Sequence, residues 1–354
     1  MKKWKKRLIA VLSILAVTAV ILALKTLRDA GEFKKLSAHS DCACTAVSGV
    51  PGPEDIAIDN STGTAFISSF DRRAAMAGTI RPGAIFVYNL EGRPRLKNLT
   101  EGLAIRLNPH GISFYRAPDG KKYLFAINHQ IAEQLVEIFE YDGNALVHRE
   151  TVRGGAIISP NDIAAVGPRR FYFTNDHGST SRLGKLIEDY LQLSRANITY
   201  YDGKSFRIVA DGLAYANGIW ADGGGRLVYA TSTVGRKFHV YNRDPASGSL
   251  RRESELDLST GADNIDVDQD GMIWVAAHPR LLTFMKHASD KTKKSPSQVL
   301  EIYWTGSGYA FKEVYLDRGE EISGASVAAV YKNRMLLGAV FGNFFLDCTM
   351  KRRR

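Results

Sequence analysis

Asn161-Asp162-Ile163 is one of six short segments in this chain that share a pattern. In each, a pair of mostly polar residues precedes an aliphatic residue, and a strand, a turn and a second strand follow. The six segments are Glu54-Asp55-Ile56, His110-Gly111-Ile112, Asn161-Asp162-Ile163, Asn217-Gly218-Ile219, Asp263-Asn264-Ile265 and Ala325-Ser326-Val327. They recur roughly every 50 to 60 residues, long enough for one four-stranded blade of a β-propeller with its connections. The repeat therefore predicts an all-β fold, a six-bladed β-propeller.

Equivalent residues of every blade point at the central axis of a propeller. Two positions before the aliphatic residue, the six segments carry Glu, His, Asn, Asn, Asp and Ala. Five of the six blades therefore direct a carboxylate, a carboxamide or an imidazole toward one place, which predicts a site on the axis.

The side-chain oxygens of this predicted site suit a hard cation. Candidate ligands are Glu54, Asn161, Asn217, Asp263 and Asn264. Oxygen-only shells favour Ca²⁺, whereas zinc prefers His and Cys clusters, which are absent from the sequence. Without a cation these residues would instead cap strands and bind water in the tunnel.

His110 occupies the same ring of positions and is the candidate proton acceptor for an attacking water, because imidazole titrates near neutral pH. His129 ends the strand predicted to lie beside the His110 segment and could orient it. His177 and His278 also end strands and are reserve candidates. The sequence has neither a Gly-x-Ser-x-Gly elbow nor a glycine-rich phosphate loop, so metal-assisted hydrolysis is favoured over acyl-enzyme or nucleotide chemistry.

The basic composition does not indicate nucleic-acid binding. The chain has 354 residues and a net charge of +10. The first 35 residues carry +7 and the last four carry +4, which leaves −1 on the body. Nucleic-acid binding needs a basic face on the fold itself.

The N-terminus predicts a membrane segment. A basic cluster from Lys2 to Arg7 precedes an apolar run over 8–24. We expect residues 1–30 to form an uncleaved signal anchor and 31–354 to form the propeller, beyond the membrane; a cleaved signal peptide is the alternative. The protein is then single-pass with a lumenal or extracellular body, or is secreted.

Three cysteines and three sequons fit that location. Cys42 and Cys44 precede the first repeat and Cys348 follows the last, so a propeller whose ends meet in one blade would bring them together. Candidate glycosylation sites are Asn60, Asn98 and Asn197. The segment 178–195 interrupts the strands with helical spacing and capping residues, and we expect a helix there, packed on blade edges, roofing the site or touching a membrane.

The motifs resemble the serum paraoxonase/arylesterase family. The matching stretches are Pro53-Glu54-Asp55, Leu107-Asn108-Pro109-His110-Gly111-Ile112-Ser113, Asn128-His129, residues 161–168, Thr174-Asn175-Asp176-His177, Ala216-Asn217-Gly218-Ile219, Asp263-Asn264-Ile265 and residues 325–332. They cover nearly the whole chain beyond residue 40, in order. The resemblance implies a six-bladed propeller with calcium-dependent lactonase and promiscuous esterase activity.

The resemblance also implies roles for individual residues. Glu54, Asn161, Asn217, Asp263 and Asn264 would hold a catalytic calcium, while Asp55, Asp162 and the carbonyl of Ile112 would hold a second, structural calcium. His110 and His129 match the family's proposed catalytic dyad, and Asp176 matches a further acid in the family's active site. Tyr215, Val340 and His278 match the pocket wall and rim. Cys348 matches one half of the family's disulfide, and either Cys44, which lies closer to the expected spacing, or Cys42 would be the other half.

Two departures bear on substrate choice. Residues 70–73, beginning with Phe70, and the 178–195 insertion differ from familiar members, and both should shape the substrate mouth. The family's usual free cysteine is Ala277 here. The expected function is hydrolysis of small lactones and aryl esters. A gluconolactonase-type propeller would lack the Asn-Pro-His-Gly-Ile segment, and the other alternative is a non-enzymatic, membrane-tethered, chaperone-like helper of membrane proteins.

Overall fold

The computed structural model describes residues 3–93 and 95–351. It begins with helix α1 (Lys3–Asp29) and strands β1 (His39–Ser40) and β2 (Cys42–Ser48). Within the described residues, α1 is the one helix long and apolar enough to cross a membrane, judged by length and composition alone. Lys2 of the basic cluster and Arg352 to Arg354 of the tail lie outside the described residues.

The first three repeats each form one four-stranded antiparallel sheet. The first sheet contains β3 (Pro53–Asp59), β4 (Thr64–Ser69), β5 (Ala84–Asn89) and β6 (Leu96–Asn98). The second contains β7 (Pro109–Arg116), β8 (Lys122–His129), β9 (Gln134–Tyr141) and β10 (Leu146–Val152). The third contains β11 (Pro160–Gly167), β12 (Arg170–Asn175), β13 (Ala196–Tyr201) and β14 (Phe206–Leu213).

The last three repeats complete the ring. The fourth sheet contains β15 (Ala216–Ala221), β16 (Leu227–Ser232), β17 (Lys237–Arg243) and β18 (Leu250–Asp257). The fifth contains β19 (Gly261–Val267), β20 (Ile273–His278), β21 (Ser297–Trp304) and β22 (Tyr309–Asp317), with β1 added at its edge. The sixth contains β23 (Ala325–Tyr331), β24 (Arg334–Ala339) and β25 (Phe344–Met350), and β2 is its outermost strand. The predicted six-bladed propeller is confirmed.

Apolar side chains hold adjacent blades together. Six clusters of buried residues lie between neighbouring sheets, one at each interface of the ring. Phe66 of the first blade packs with Leu124 and Phe139 of the second, for example. Ile56 of the first blade packs with Phe345 of the sixth, so the last interface closes the ring with the same kind of contact as the others.

Three further helices lie on one face of the ring. They are α2 (Arg72–Met76), α3 (Arg182–Tyr190) and α4 (Leu281–Ser289), and each connects the second to the third strand of an alternate blade. The helix expected within 178–195 is therefore confirmed as α3, capped by Ser181, whose side chain accepts a hydrogen bond from Gly184 N–H. Its apolar residues Leu183 and Ile187 are exposed, which does not fit a helix buried on blade edges.

A disulfide closes the ring covalently. In the antiparallel register of β2 and β25, Cys44 lies opposite Cys348 and Cys42 lies opposite Met350. Cys44 and Cys348 are bonded, and Cys42 is a free thiol whose sulfur lies 3.6 Å from that of Cys44. The strand register therefore selects Cys44, which spacing alone left open against Cys42.

We expect Cys44→Ser to reduce the free energy of unfolding substantially. The bond spans 304 residues, and the chain-entropy model assigns a loop of this length a contribution on the order of 5 kcal/mol. Denaturant unfolding of the full-length protein in detergent, without reductant, measures the difference. Cys42→Ser is the matched control and should change stability by less than ~1 kcal/mol; equal losses in both variants would contradict the assigned pairing.

Candidate functional site

The innermost strand of every blade is irregular at the repeated segment. The pairing with the second strand shifts between Pro53 and Ile56, Pro109 and Ile112, Pro160 and Ile163, Ala216 and Ile219, Ala262 and Ile265, and Ala325 and Val327. An extra residue in one strand of a pair re-aims the side chains on either side of it. The six bulges thus turn the polar residues of the repeat toward the axis.

Two glycines of the repeat let neighbouring inner strands approach closely on the axis. A Cβ at Gly111 would lie 2.5 Å from the Cα of Asp162, and one at Gly218 would lie 2.6 Å from the carbonyl oxygen of Asp263. Both distances are far below van der Waals contact. A side chain at either position would therefore push adjacent blades apart at the site.

The repeat residues line two cavities on opposite sides of the polar ring. The upper cavity, of about 390 Å³, lies beneath α2, α3 and α4. It contains the first residue of five segments: Glu54, His110, Asn161, Asn217 and Asp263. The lower cavity, of about 570 Å³, is lined by Asp55, Ile112 and Asp162, which follow in the same segments. The second predicted ligand set therefore lines the lower cavity, and four of the five residues of the first set line the upper one, while Asn264 lines neither and contacts Glu54.

Four of the five candidate ligands of the catalytic calcium have a buried oxygen without a hydrogen-bond partner. These atoms are Glu54 Oε2, Asn161 Oδ1, Asn217 Oδ1 and Asn264 Oδ1. The amide nitrogens are engaged, since Asn217 donates to Thr233 Oγ1 at 2.9 Å and Asn264 donates to Glu54 Oε1 at 2.9 Å. An unsatisfied buried polar group costs about 1–3 kcal/mol, so four such oxygens at one place fit a hard cation as their missing partner.

The two carboxylates of this ring differ in their surroundings. Burial raises the pKa of Glu54, but His110 and Arg72 outweigh it, and the pKa falls to about 2. Burial raises the pKa of Asp263, and Glu54 adds to that effect although His278 opposes it. Asp263 Oδ2 lies 2.7 Å from His278 Nε2, and the His278 ring stacks on Phe284 at 3.8 Å. A bound cation would offset the negative charge that Asp263 and Glu54 bring together.

Asp55 and Asp162 already link neighbouring blades. Asp55 accepts hydrogen bonds from the N–H groups of Ile56 and Ile112, and Asp162 accepts from those of Ile163 and Ile219. Burial, followed by neighbouring carboxylates, raises the pKa of both groups well above the usual range. Their oxygens suit calcium in kind, and the hydrogen bonds hold them on the axis whether or not an ion is bound.

His110 belongs to a hydrogen-bonded chain that fixes its tautomer. His110 Nδ1 lies 2.7 Å from His129 Nε2, and His129 Nδ1 contacts Gln134 Oε1. Burial, followed by the proximity of the His110 ring, lowers the pKa of His129 to about 3, so His129 is neutral at pH 7. Because Gln134 Oε1 only accepts, His129 Nδ1 carries its proton, and His129 Nε2 accepts from His110 Nδ1. The lone pair of a neutral His110 is then on Nε2, which lies 3.5 Å from Glu54 Oε1, and both residues line the upper cavity.

Asp176 lies outside the group that lines the upper cavity. It accepts a hydrogen bond from Ser159 Oγ, and its Oδ1 lies 2.6 Å from His177 Nδ1. The other His177 nitrogen lies 3.0 Å from Asp189 of α3. Burial lowers the pKa of His177, but Asp176 and Asp189 outweigh it and raise that pKa to about 9. A charged His177 therefore links α3 to the third blade through Asp189 and Asp176, and a part for Asp176 in the reaction stays a prediction.

The predicted pocket residues divide in a similar way. Tyr215, His278 and Val340 line the upper cavity. Phe70 does not line it, and its ring instead lies 5.8 Å from the Arg72 guanidinium. Among the sequons, the Asn197 side chain is buried in β13, and its Oδ1 accepts hydrogen bonds from Asn175 and Thr199, an environment that disfavours a glycan at this residue. Asn60 and Asn98 are half-buried, and their glycosylation stays a prediction.

Sequence reasoning missed Gln134 and Arg72. Gln134 pairs with His129 across β8 and β9. The one signal for Gln134 in the sequence was its position: it is a polar residue at the start of the strand that follows His129. Arg72 lies in a segment noted for its divergence, but nothing local indicated that its side chain enters the cavity.

The last turn of α1 lies at the cavity mouth. Thr26 and Ala30 line the cavity together with Leu186 and Tyr190 of α3. Lys25 contacts Gln192, and Asp29 lies 3.4 Å from Arg236 of the fourth blade. The candidate membrane segment therefore ends beside the opening of the site.

Known proteins resemble this chain over most of its length. The model of the Arylesterase family matches residues 40–349. Serum paraoxonase/arylesterase 2 of Gallus gallus is 36% identical over 310 residues, which cover 84% of this chain and 86% of the relative. Serum paraoxonase/arylesterase 1 of Homo sapiens is 34% identical over 309 residues, with the same coverage of 84% and 86%.

Solved structures share the fold at much lower identity. A gluconolactonase of Xanthomonas campestris superimposes with a TM-score of 0.53 at 14% identity, covering 89% of this chain and 92% of that one. The calcium-binding protein regucalcin of Agrobacterium tumefaciens superimposes with a TM-score of 0.51 at 13% identity, covering 90% and 98%. Identities this low establish the propeller architecture alone.

Proposed function

This chain belongs to the arylesterase family, and we propose that it is a calcium-dependent hydrolase of lactones and, more slowly, of aryl esters. The observation that carries the proposal is a set of four unpartnered buried oxygens, three of them on residues that line the upper cavity together with His110 and the fourth on Asn264, which is hydrogen-bonded to Glu54. A hard cation and a proton acceptor are the two components that metal-assisted ester hydrolysis needs.

Glu54, Asn161, Asn217, Asp263 and Asn264 would hold the catalytic calcium. When bound, calcium polarises the ester carbonyl and offsets the negative charge that develops on its oxygen. Asp55, Asp162 and the Ile112 carbonyl would hold a second, structural ion on the lower side of the ring. Both carboxylates of that second set have pKa values raised by burial and then by neighbouring acids, and a cation would favour their charged forms and relieve the repulsion.

His110 would act as the general base. Its Nε2 removes a proton from water as the water oxygen attacks the ester carbon. The imidazolium that forms lies 3.5 Å from the Glu54 carboxylate and stays hydrogen-bonded to His129, so both neighbours stabilise it. The proton then passes to the departing oxygen, which gives a hydroxy acid from a lactone, or an acid and a phenol from an aryl ester.

The N-terminal helix supports a membrane-associated location. α1 would span the membrane or serve as a signal peptide, with the propeller on the lumenal or extracellular side. The exposed apolar side chains of α3 lie beside the end of α1, so the cavity would open close to the membrane surface. The near-neutral body of the chain gives no support for nucleic-acid binding.

Hydrolysis of a lactone panel with and without chelator tests the proposal. We expect full-length protein in detergent to open aliphatic and aromatic lactones, to cleave phenyl esters more slowly, to lose both activities in excess chelator, and to regain them with added Ca²⁺. Absence of turnover at saturating Ca²⁺ would contradict the enzyme and favour the membrane-tethered helper. Turnover that persists in chelator would contradict the role of calcium.

A further inference from the structure

Arg72 places a guanidinium group in the wall of the upper cavity. It begins α2, whose N-cap Asp71 accepts a hydrogen bond from Ala74 N–H at 2.8 Å. Its side chain is 14% exposed, although it starts from a surface connection. Arg73, the next residue, turns away and donates to the carbonyl oxygens of Phe341 and His287. The two adjacent arginines therefore point in different directions: Arg72 lines the cavity, and Arg73 binds backbone carbonyl groups outside it.

The Arg72 guanidinium is incompletely satisfied by protein groups. Nη2 donates to the carbonyl oxygen of Pro109 at 3.3 Å and lies 3.8 Å from Glu54 Oε2, which is too long for a hydrogen bond. Nη1 is buried and has no hydrogen-bond partner. An arginine has five N–H donors in a planar fork, and burying this charge without a matching anion is costly. The N–H groups of Nη1 therefore have no acceptor among the described residues.

Calcium would make this requirement stronger. Glu54 and Asp263 are the carboxylates of the upper ring, and a bound divalent cation would balance both of their charges. The other carboxylate of the cavity, Asp189, lies 3.0 Å from His177, so Arg72 would be left without an anion of its own. Apolar side chains of Met76, Leu282 and Phe341 line the same space and offer no acceptor.

From this arrangement we infer that Arg72 recognises an anionic group, in the simplest case a carboxylate, on the substrate. The inference rests on the proposed function and narrows it to lactones or esters that combine an apolar body with a free carboxylate. A guanidinium binds a carboxylate through two parallel hydrogen bonds, so the interaction sets the orientation of the substrate as well as its affinity. Arg72 is thus a specificity-determining residue, since its guanidinium would contact the substrate carboxylate and not the reacting carbonyl.

Two matched substrates test the inference: an alkyl lactone bearing a ring carboxylate, and its methyl ester, which is neutral at that position. With calcium-loaded full-length protein, we expect kcat/KM for ring opening to favour the carboxylated lactone by at least about tenfold. A hydrogen bond to a charged group contributes about 1.5–3 kcal/mol, so Arg72→Gln should reduce kcat/KM for this lactone by about 10- to 100-fold. The neutral lactone should change less than threefold, and Arg73→Gln, the control, should leave the ratio unchanged.

Binding of an inert carboxylate provides a readout independent of turnover. Calorimetry with a cycloalkane carboxylate should show binding to the calcium-loaded protein, about tenfold or more weaker binding to Arg72→Gln, and intermediate binding to Arg72→Lys, which keeps the charge but loses the fork. Calcium titration and thermal melting verify that each variant is folded. Failure of the wild-type protein to open either lactone would contradict the proposed function, while the calorimetry would still test Arg72.

Two results would overturn the role of Arg72. Equal losses on the charged and neutral lactones would place Arg72 in the shared chemistry or in support of the calcium site. Unchanged carboxylate binding in Arg72→Gln would show that the guanidinium meets no anionic ligand.

Discussion

Asp263→Ala should weaken calcium binding strongly and lose hydrolysis with it. Asp263 is buried in the ring, and its carboxylate is one of the two charges that would compensate the ion. Removing one partner of a buried charge pair costs about 3–5 kcal/mol, which corresponds to a loss of roughly 10²- to 10⁴-fold in calcium affinity. The loss also leaves His278 without its 2.7 Å partner. Calorimetric titration with Ca²⁺ and a lactone assay at fixed Ca²⁺ measure the two effects.

The matched control for this substitution is Asp270→Ala. Asp270 lies in the exposed turn after β19, away from the ring, and its replacement should leave both measurements unchanged. Asn264→Ala should behave like Asp263→Ala, because it removes an unpartnered oxygen and a hydrogen bond to Glu54. Normal calcium affinity in a folded Asp263→Ala protein would refute the assignment of this ring as the calcium site.

His110→Gln should separate the chemistry from metal binding. Glutamine keeps a polar side chain beside Glu54 and His129 but cannot accept the proton of water. A positioned general base contributes about 10²- to 10⁴-fold, so we expect kcat for lactone opening to fall by that factor while calcium affinity changes less than ~3-fold. Steady-state kinetics at saturating Ca²⁺ and calcium calorimetry make the comparison.

His39→Gln is the control for this variant, because His39 lies in β1 at the edge of the fifth blade, far from the ring, and is exposed. His129→Gln should lower kcat less than His110→Gln does, since His129 orients the base without contacting water. Full lactonase activity in folded His110→Gln would rule out His110 as the base. His177 and His278 would then be the remaining candidates.

Much of this molecule follows from short segments of sequence. The six repeats predict the blade number, and the residue two positions before each aliphatic residue predicts which side chains enter the upper cavity. This succeeds because each blade folds from its own contiguous stretch, so a local pattern repeated six times becomes a ring. The helix at 182–190 was predictable for the same reason, since its spacing and its Ser181 cap are local.

Other features depend on contacts between distant segments. Asn197 carries a sequon, yet β13 buries it against Asn175 of β12. Phe70 was expected to line the substrate pocket, but Arg72, two residues further along the chain, lines the upper cavity and Phe70 does not. The orientation of His110 depends on Gln134, which the register of β8 and β9 places beside His129.

By itself, the sequence determined the propeller, the ring of oxygen donors and the histidine among them, because these features are carried by a periodic local pattern. The tertiary structure alone decided that Cys44 and not Cys42 bonds to Cys348, that the lone pair of a neutral His110 is on Nε2, and that the Arg72 guanidinium enters the cavity wall. These outcomes depend on strand register and on packing between elements far apart in the chain, where a shift of one residue turns a side chain to the opposite face.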